Sequence, residues 1–245
     1  MNQGQYTVQS NEQIADKTWR LRLCGSAHGF TTGGQFADIA IDGYFLRRPI
    51  AVREWNEHGF ELIYKVVGHG TEKLTGSKPG TSLDILTALG NGFNADRCAG
   101  SALLISGGIG ASPLFSLAKQ LKAQGKRVCV IMGYNKASEI ILSEEYRSLG
   151  VDLRLVTLDG SAGLKGLVTD ALSIVNPEYD YFYTCGPKIM MEAVCKACVT
   201  SGEASLEERM GCGCGICYGC TCHTAKGPAR ICADGPVFNK EDIIW

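Results

Sequence analysis

The residues best suited to chemistry are the cysteines near the C-terminus. They lie in Cys212-Gly213-Cys214-Gly215-Ile216-Cys217-Tyr218-Gly219-Cys220-Thr221-Cys222, with Cys232 further on. Taken as Cys212, Cys217, Cys220 and Cys232, the spacing is C-x4-C-x2-C, then eleven residues, then C. That is the ligand spacing of a plant-type [2Fe-2S] cluster. Thiolates are soft, anionic ligands suited to iron. Gly211, Gly213, Gly215 and Gly219 let a short loop wrap such a group, adopt positive φ and aim backbone N–H groups at sulfur. Zinc would also accept four of these thiolates, but structural zinc sites usually pair two C-x2-4-C knuckles across a spacer, and this spacing suits the cluster better. A disulfide framework would need an oxidising compartment. Cys214 and Cys222 are left over, and Cys214 could compete as a ligand.

The whole chain agrees with redox or metal chemistry. It has 245 residues, enough for two modest domains and an appendage. A net charge of −1 argues against nucleic acid or an acidic membrane surface as partner. The first twenty residues lack the apolar core of a signal peptide, and no apolar run approaches the ~18 residues of a membrane helix. Twelve cysteines without an export signal point to a reducing, cytoplasmic setting, and six of them follow residue 210, which marks the tail as the metal module.

The elements that must position these cysteines fall into two blocks. Residues 1–96 hold six short β-type runs: Gln5–Ser10, Thr18–Cys24, Phe36–Ile41, Pro49–Glu54, Phe60–Val67 and Thr81–Leu86. Glycines and polar residues separate them, which suggests a small antiparallel barrel. In it, Arg47-Arg48-Pro49-Ile50-Ala51 places cations at a strand start and Ile63-Tyr64-Lys65 offers an aromatic ring. Gly68-His69-Gly70-Thr71 opens a short helical stretch whose free amides could hold a phosphate.

Residues 97–202 change period. The apolar run Ser101–Ser106 enters Gly107-Gly108-Ile109-Gly110-Ala111-Ser112-Pro113 and then a helix, Leu114–Gln124, with Ser112 expected as N-cap and Pro113 at its first position. Strand, glycine turn and helix together form a context for a nucleotide pyrophosphate. The motif departs from G-x-G-x-x-G in having a proline and no third glycine, so a plain tight turn stays open. Strand and helix patterns then alternate to Thr184-Cys185-Gly186-Pro187 and a final helix, Lys188–Cys198, the pattern of a doubly wound α/β domain. Cys185 falls at the sheet edge where such folds bind ligands, whereas Cys195 and Cys198 read as core. No acidic residue follows strand Arg127–Met132, and Lys136 could suit a 2′-phosphate. Residues 203–245 form the cluster module, too short to build much core alone. Glu207-Glu208-Arg209 read as solvated. Val237-Phe238 and Ile243-Ile244-Trp245 are apolar enough to pack onto the body or a partner.

The order of these signals resembles the ferredoxin–NADP reductase superfamily, a flavin barrel followed by a nicotinamide domain. Arg47-Arg48-Pro49-Ile50-Ala51, Leu89-Gly90-Asn91-Gly92-Phe93, Glu208-Arg209-Met210 before the cysteines, and Cys232-Ala233-Asp234-Gly235-Pro236-Val237-Phe238 are similar to the electron-transfer subunits of class 1B dihydroorotate dehydrogenases. The resemblance implies an α+β multidomain chain with an FAD-binding barrel (1–96), an NAD-binding α/β domain (97–202) and a [2Fe-2S] module (203–245). It places Arg48, Pro49, Ile50, Ala51, Ile63, Tyr64, Lys65, Gly70 and Thr71 on FAD, with Arg48 on its pyrophosphate. Ala51 stands where family members often carry Ser, which removes one hydrogen bond to the flavin. Gly108 and Gly110 would face the nicotinamide dinucleotide, with Cys185 near nicotinamide and flavin. Cys212, Cys217, Cys220 and Cys232 would hold the cluster. The implied partner is an FMN-bearing catalytic subunit, two copies of each forming a heterotetramer, with NAD as acceptor. Two rivals remain: a reductase subunit serving a ferredoxin, sulfide dehydrogenase or hydrogenase, and a cluster-containing redox sensor with a vestigial nucleotide domain.

Overall fold

Six strands close into an antiparallel barrel in the order β1-β2-β5-β4-β3-β6: β1 Asn2–Ala15, β2 Thr18–Cys24, β3 Phe36–Ile39, β4 Arg48–Asn56, β5 Gly59–Lys65 and β6 Ser82–Leu89. Alternation drives it: Tyr6, Val8, Leu21, Leu23, Val52 and Leu62 turn inward and are almost fully buried. A seven-residue helix, α1 (His69–Thr75), bridges β5 and β6. The computed structural model describes residues 1–175 and 177–245.

The second unit is a seven-stranded sheet ordered β10-β9-β8-β7-β11-β12-β15. Its strands are β7 (Ser101–Gly107), β8 (Arg127–Tyr134), β9 (Asp152–Thr157), β10 (Leu164–Lys165), β11 (Tyr181–Cys185), β12 (Gly202–Ser205) and β15 (Val237–Asn239). All pairings are parallel except β12 with β15. β7 is buried along its whole length, as a central parallel strand must be. Helices α2 (Ala111–Ala123) and α3 (Ser143–Ser148) pack with the core on one face of the sheet. Helices α4 (Val168–Val175) and α5 (Lys188–Ala197) pack on the other. This is the doubly wound arrangement, and chain order reverses between β7 and β11, the switch point where ligands bind in such sheets.

Two expectations are corrected here. Helix α2 begins at Ala111, so Ser112 lies inside its first turn and makes no capping bond, and Pro113 is the third helical residue rather than the first. The reason is that Gly108–Gly110 already turns as 3-10 helix and feeds straight into α2. The sheet also runs past residue 202. β12 straddles that position, and β15, from beyond the cysteines, adds an antiparallel edge strand. The tail is therefore stitched into the nucleotide sheet. The hairpin β13 (Thr221–Thr224) and β14 (Gly227–Arg230) is its only other paired element among the described residues, apart from a bridge between Thr224 and Ile243. Ile243 and Trp245 pack against the second-face core as the apolar tail suggested. Cys195 and Cys198 are buried core residues.

The barrel is fastened to α2 and α3 by ions. Arg53 of β4 donates to Glu61 of β5 at 2.6 Å, and its guanidinium carbon lies 4.1 Å from the ring centre of Phe115 in α2. Arg20 of β2 joins Glu61 at 3.4 Å to Glu145 of α3 at 2.6 Å. Lys119 of α2 pairs with Glu54.

Candidate functional site

A cleft of about 290 Å³ opens between barrel, sheet and tail. Pro49, Ile50 and Ala51 of β4 and Ile63, Tyr64 and Lys65 of β5 line it from the barrel side, with Thr71 of α1. Gly110, Ser112 and Pro113 line it from the switch point, with Cys185 at the end of β11. The fold thus brings most of the sequence-flagged residues to one place. Arg48, Gly70 and Gly108 stand just outside this lining.

The barrel wall is apolar where a planar ring could lie, and its polar groups are specific. Tyr64 is buried, its hydroxyl donates to Asn11 Oδ1 at 3.1 Å, and burial pushes its pKa to about 12, so it stays a neutral phenol. The two neighbouring arginines divide their work. Arg47 is committed to Asp84 at 2.7 Å. Arg48 makes no ion pair among the described residues. Its Nη1 donates to the carbonyls of Leu46 and Arg47, and its guanidinium carbon sits 5.1 Å from the ring centre of Tyr44. Its Nε and Nη2 lie against Gly70, where a Cβ would come within 2.3 Å of Nε. A side chain at Gly70 would therefore displace the arginine head from this position. The Thr71 hydroxyl is spent locally: it accepts from the N–H groups of Val67 and Gly68 and donates to the Gly68 carbonyl. Any anion contact at this turn falls to backbone amides.

At the switch point, Gly108 adopts φ +54°, and Gly110 comes so close to β11 that a Cβ would lie 2.1 Å from the Cys185 carbonyl oxygen. Cys185 is 4% exposed, and burial, with the Glu207 carboxylate as a lesser cause, pushes its thiol far above the ordinary range. It is a neutral thiol and no nucleophile. The Ser112 hydroxyl lines the cleft, buried without a protein partner, as an orphaned donor that suits a polar ligand. Lys136 is occupied: it pairs with Asp16 of the barrel at 2.7 Å.

Sequence reasoning missed the segment 205–210. Ser205, Leu206, Glu207, Glu208 and Met210 also line the cleft. Glu207 and Glu208 are exposed, as expected of solvated residues, and they also border this space. Protein crowding around the Glu207 carboxyl raises its pKa. The Glu208-Arg209-Met210 motif was the available signal, but only β12 and the turn beyond it carry the segment to the cleft.

Two residues after Met210 the chain reaches Cys212. Four sulfurs gather here in two pairs: Cys212 with Cys217, and Cys220 with Cys232. Backbone N–H groups point at them. Ile216 and Cys217 donate to Cys212 Sγ at 3.3 and 3.4 Å, Gly215 to Cys232 Sγ at 3.1 Å, and Cys232 to Cys220 Sγ at 3.4 Å. Burial opposes ionisation of Cys212, but the N–H groups of Cys217, Cys214 and Ile216 outweigh it and bring its thiol down to about 6. Among the described residues no three such groups converge on a point fit for one metal ion. Two thiol pairs met by backbone N–H groups suit the two irons of a [2Fe-2S] cluster. The Cys214 thiol touches Cys212, and Cys222 lies on β13, outside both pairs. Gly213 takes φ +65° with its Cα against Asp38 of β3, where a Cβ would meet Asp38 Oδ2 at 2.5 Å. The cluster loop thus rests on the barrel two residues along the strand from Phe36, which lines the cleft.

Comparison with known proteins agrees with this geometry. Residues 207–244 match the family model described as the iron-sulfur cluster binding domain of dihydroorotate dehydrogenase B, and residues 104–196 match an oxidoreductase NAD-binding domain. The dihydroorotate dehydrogenase B (NAD(+)) electron transfer subunit of Fusobacterium nucleatum subsp. nucleatum is 38% identical over 251 residues, covering 97% of this chain and 96% of that protein. Its counterpart in Lysinibacillus sphaericus is 38% identical over 255 residues, covering 99% of each. Among solved structures, one of the NADH-dependent reduced ferredoxin-NADP oxidoreductase aligns with TM-score 0.89 at 29% identity, over 98% of this chain and 90% of that one. Phthalate dioxygenase reductase shares the fold at TM-score 0.66 and 22% identity, over 80% of this chain and 64% of that one. Identity above a third along almost the full length of several such relatives shows that the chain belongs to the family of dihydroorotate dehydrogenase B (NAD(+)) electron transfer subunits.

Proposed function

We propose that this chain is the electron-transfer subunit of an NAD-dependent dihydroorotate dehydrogenase, linking an FMN-bearing catalytic subunit to NAD+ in pyrimidine biosynthesis. When bound, FAD exchanges single electrons for hydride and a [2Fe-2S] cluster relays electrons one at a time. The observation that carries the reading is the continuity of residues 205–212: one stretch of chain lines the cleft shared by barrel and nucleotide sheet and ends on the first cysteine of the two thiol pairs.

Each residue then has a task. Arg48 presents Nε and Nη2 to the FAD diphosphate, alongside the first-turn amides of α1 near Gly70 and Thr71. Pro49, Ile50, Ala51, Ile63, Tyr64 and Lys65 form the wall for the flavin ring, and Ala51 offers it no side-chain hydrogen bond. Gly108 and Gly110 let the dinucleotide approach the switch point, and neutral Cys185 packs beside the nicotinamide without competing as a nucleophile. Cys212, Cys217, Cys220 and Cys232 hold the cluster in pairs. No group in the cleft is needed as acid or base for the pyrimidine, since that step belongs to the partner. In this reading the assembly is a cytoplasmic heterotetramer of two copies of each subunit. No helix among the described residues is long and apolar enough to cross a membrane.

Anaerobic reduction of the purified chain, followed by visible absorption and EPR, tests the cofactors: flavin bands and a rhombic S = 1/2 signal are expected. Adding an FMN-bearing partner with dihydroorotate tests the assignment, because dihydroorotate then reduces both chromophores. A second reading, a reductase serving another partner, draws on the TM-score of 0.89 to the ferredoxin-NADP oxidoreductase. It gains the day if reduced ferredoxin, and not dihydroorotate with its partner, reduces the flavin.

A further inference from the structure

Arg230, the last residue of β14, reaches from this hairpin into the cysteine loop by a side-chain hydrogen bond. Its Nε and Nη2 grip Asp234 Oδ2 and Oδ1, each at 2.9 Å, and its Nη1 donates to the Gly215 carbonyl at 2.7 Å. Its guanidinium carbon lies 5.1 Å from the ring centre of Tyr218. The fork is thus fixed on one side by a bidentate carboxylate and used on the other against the loop. Asp234 is itself anchored, because its carboxylate also accepts the Arg230 N–H at 2.8 Å.

The carbonyl that Arg230 holds belongs to the peptide between Gly215 and Ile216. The N–H of that same peptide, on Ile216, donates to Cys212 Sγ at 3.3 Å. The N–H of Gly215 donates to Cys232 Sγ at 3.1 Å. Gly215 therefore straddles the two thiol pairs. Its φ of +86° and the 2.7 Å that would separate a Cβ from the Ala233 methyl leave it no other residue type. A cation on the carbonyl of an amide polarises the N–H of that amide, so chained hydrogen bonds strengthen one another.

We propose that Arg230 is a positioning residue that raises the reduction potential of the cluster, acting through the Gly215–Ile216 peptide on the N–H···S bond to Cys212. Reduction adds one electron, and so one negative charge, to the group the four thiolates hold. N–H donors aimed at the sulfurs stabilise that added charge and are a known lever on such potentials. Lysine keeps the charge but lacks the planar fork, so it cannot hold Asp234 and Gly215 at once. Glutamine loses both.

This inference rests on the [2Fe-2S] reading above, and the experiment separates the two. Full-length wild type, Arg230→Lys and Arg230→Gln are purified with their native cofactors. Iron per chain, the EPR spectrum of the reduced cluster and its midpoint in an EPR-monitored redox titration are measured. If wild type itself shows no S = 1/2 cluster signal, the cofactor reading fails. If it does, the expected result is two irons per chain in the variants, altered g-values, and midpoints shifted negative. The shift in Arg230→Gln corresponds to a change of about tenfold in the one-electron equilibrium, about 59 mV, and Arg230→Lys lies between. A wild-type midpoint in Arg230→Gln overturns the proposal. So does a wild-type midpoint in Arg230→Lys, which would assign any effect to charge alone. Loss of the cluster from both variants overturns it as well, in favour of a purely structural role.

Discussion

Replacing Arg53 by alanine removes the centre of the clamp between barrel and nucleotide sheet. Both members of its pair with Glu61 are buried, with 8% and 11% of their side-chain surfaces exposed. Stripping one partner from a buried pair costs about 3–5 kcal/mol when the other charge is left alone. Glu61 is not left alone, because Arg22 Nε stays at 3.0 Å and Arg20 Nε at 3.4 Å. The loss is then nearer that of one charge-assisted hydrogen bond, about 1.5–3 kcal/mol. The cation over the Phe115 ring adds about 1–2 kcal/mol in this desolvated setting. Against these, Arg53 Nε is buried without a partner, and removing it returns about 1–3 kcal/mol. The net destabilisation is about 2 kcal/mol, which for a chain of this size lowers Tm by about 4–8 °C. Thermal unfolding followed by circular dichroism measures it, with variants matched for flavin and iron, since bound ligands move Tm by mass action. Arg154→Ala, which breaks a surface pair with Asp152 that is about half exposed at each end, is the control and shifts stability by less than about 1 kcal/mol. If Arg53→Ala melts with Arg154→Ala, the clamp contributes nothing and the reasoning is wrong.

Gly110→Ala forces a methyl to within 2.1 Å of the Cys185 carbonyl, so the turn must move by more than an ångström. NADH oxidation by the flavin-loaded chain drops by about 100-fold or more, while flavin and iron content hold, and near-normal turnover would show that the turn does not set the nucleotide's position. Serine replacement separates ligands from spectators: Cys220→Ser and Cys232→Ser lose the cluster, whereas Cys222→Ser and Cys214→Ser keep two irons per chain. An intact cluster in Cys232→Ser would end the pairing scheme. Glu203 is 6% exposed, and burial lifts its carboxyl from the ordinary 4.5 to about 7, against the Asn94 N–H and the Arg97 charge. A carboxyl raised on folding stabilises fully below pH 4.5, and that contribution is lost as pH climbs through 7. Glu203→Gln should therefore flatten the fall in Tm between pH 5 and 7.5, and an unchanged slope would discount this residue.

The local signals of this chain were readable without its fold. Cysteine spacing is a covalent fact, and four thiols at these intervals can close on a small iron–sulfur group because the glycines between them allow positive φ. Gly108 and Gly110 stood in the one context, strand then helix, that makes such a turn meaningful. The strand and helix periods behind the barrel and the α/β sheet are likewise local. What tertiary structure decided depends on pairs distant in sequence. Arg47 and Arg48 are adjacent and chemically alike, yet only the fold commits Arg47 to Asp84 and leaves Arg48 beside Gly70. Ser112 looked like a cap, but the preceding 3-10 turn moved the helix start past it. The pairing of Lys136 with Asp16, which the barrel brings to it across 120 residues, has no local signal. Glu207 and Glu208 read as solvated because nothing nearby in the chain shows a cleft. They reach it because β12 pairs with β11 and β15 closes over the edge, contacts whose strength lies in backbone ladders and buried area rather than in any local pattern. The sequence determined which atoms could do the chemistry. Only folding determined which of them share one space, because shared space is a property of long-range packing.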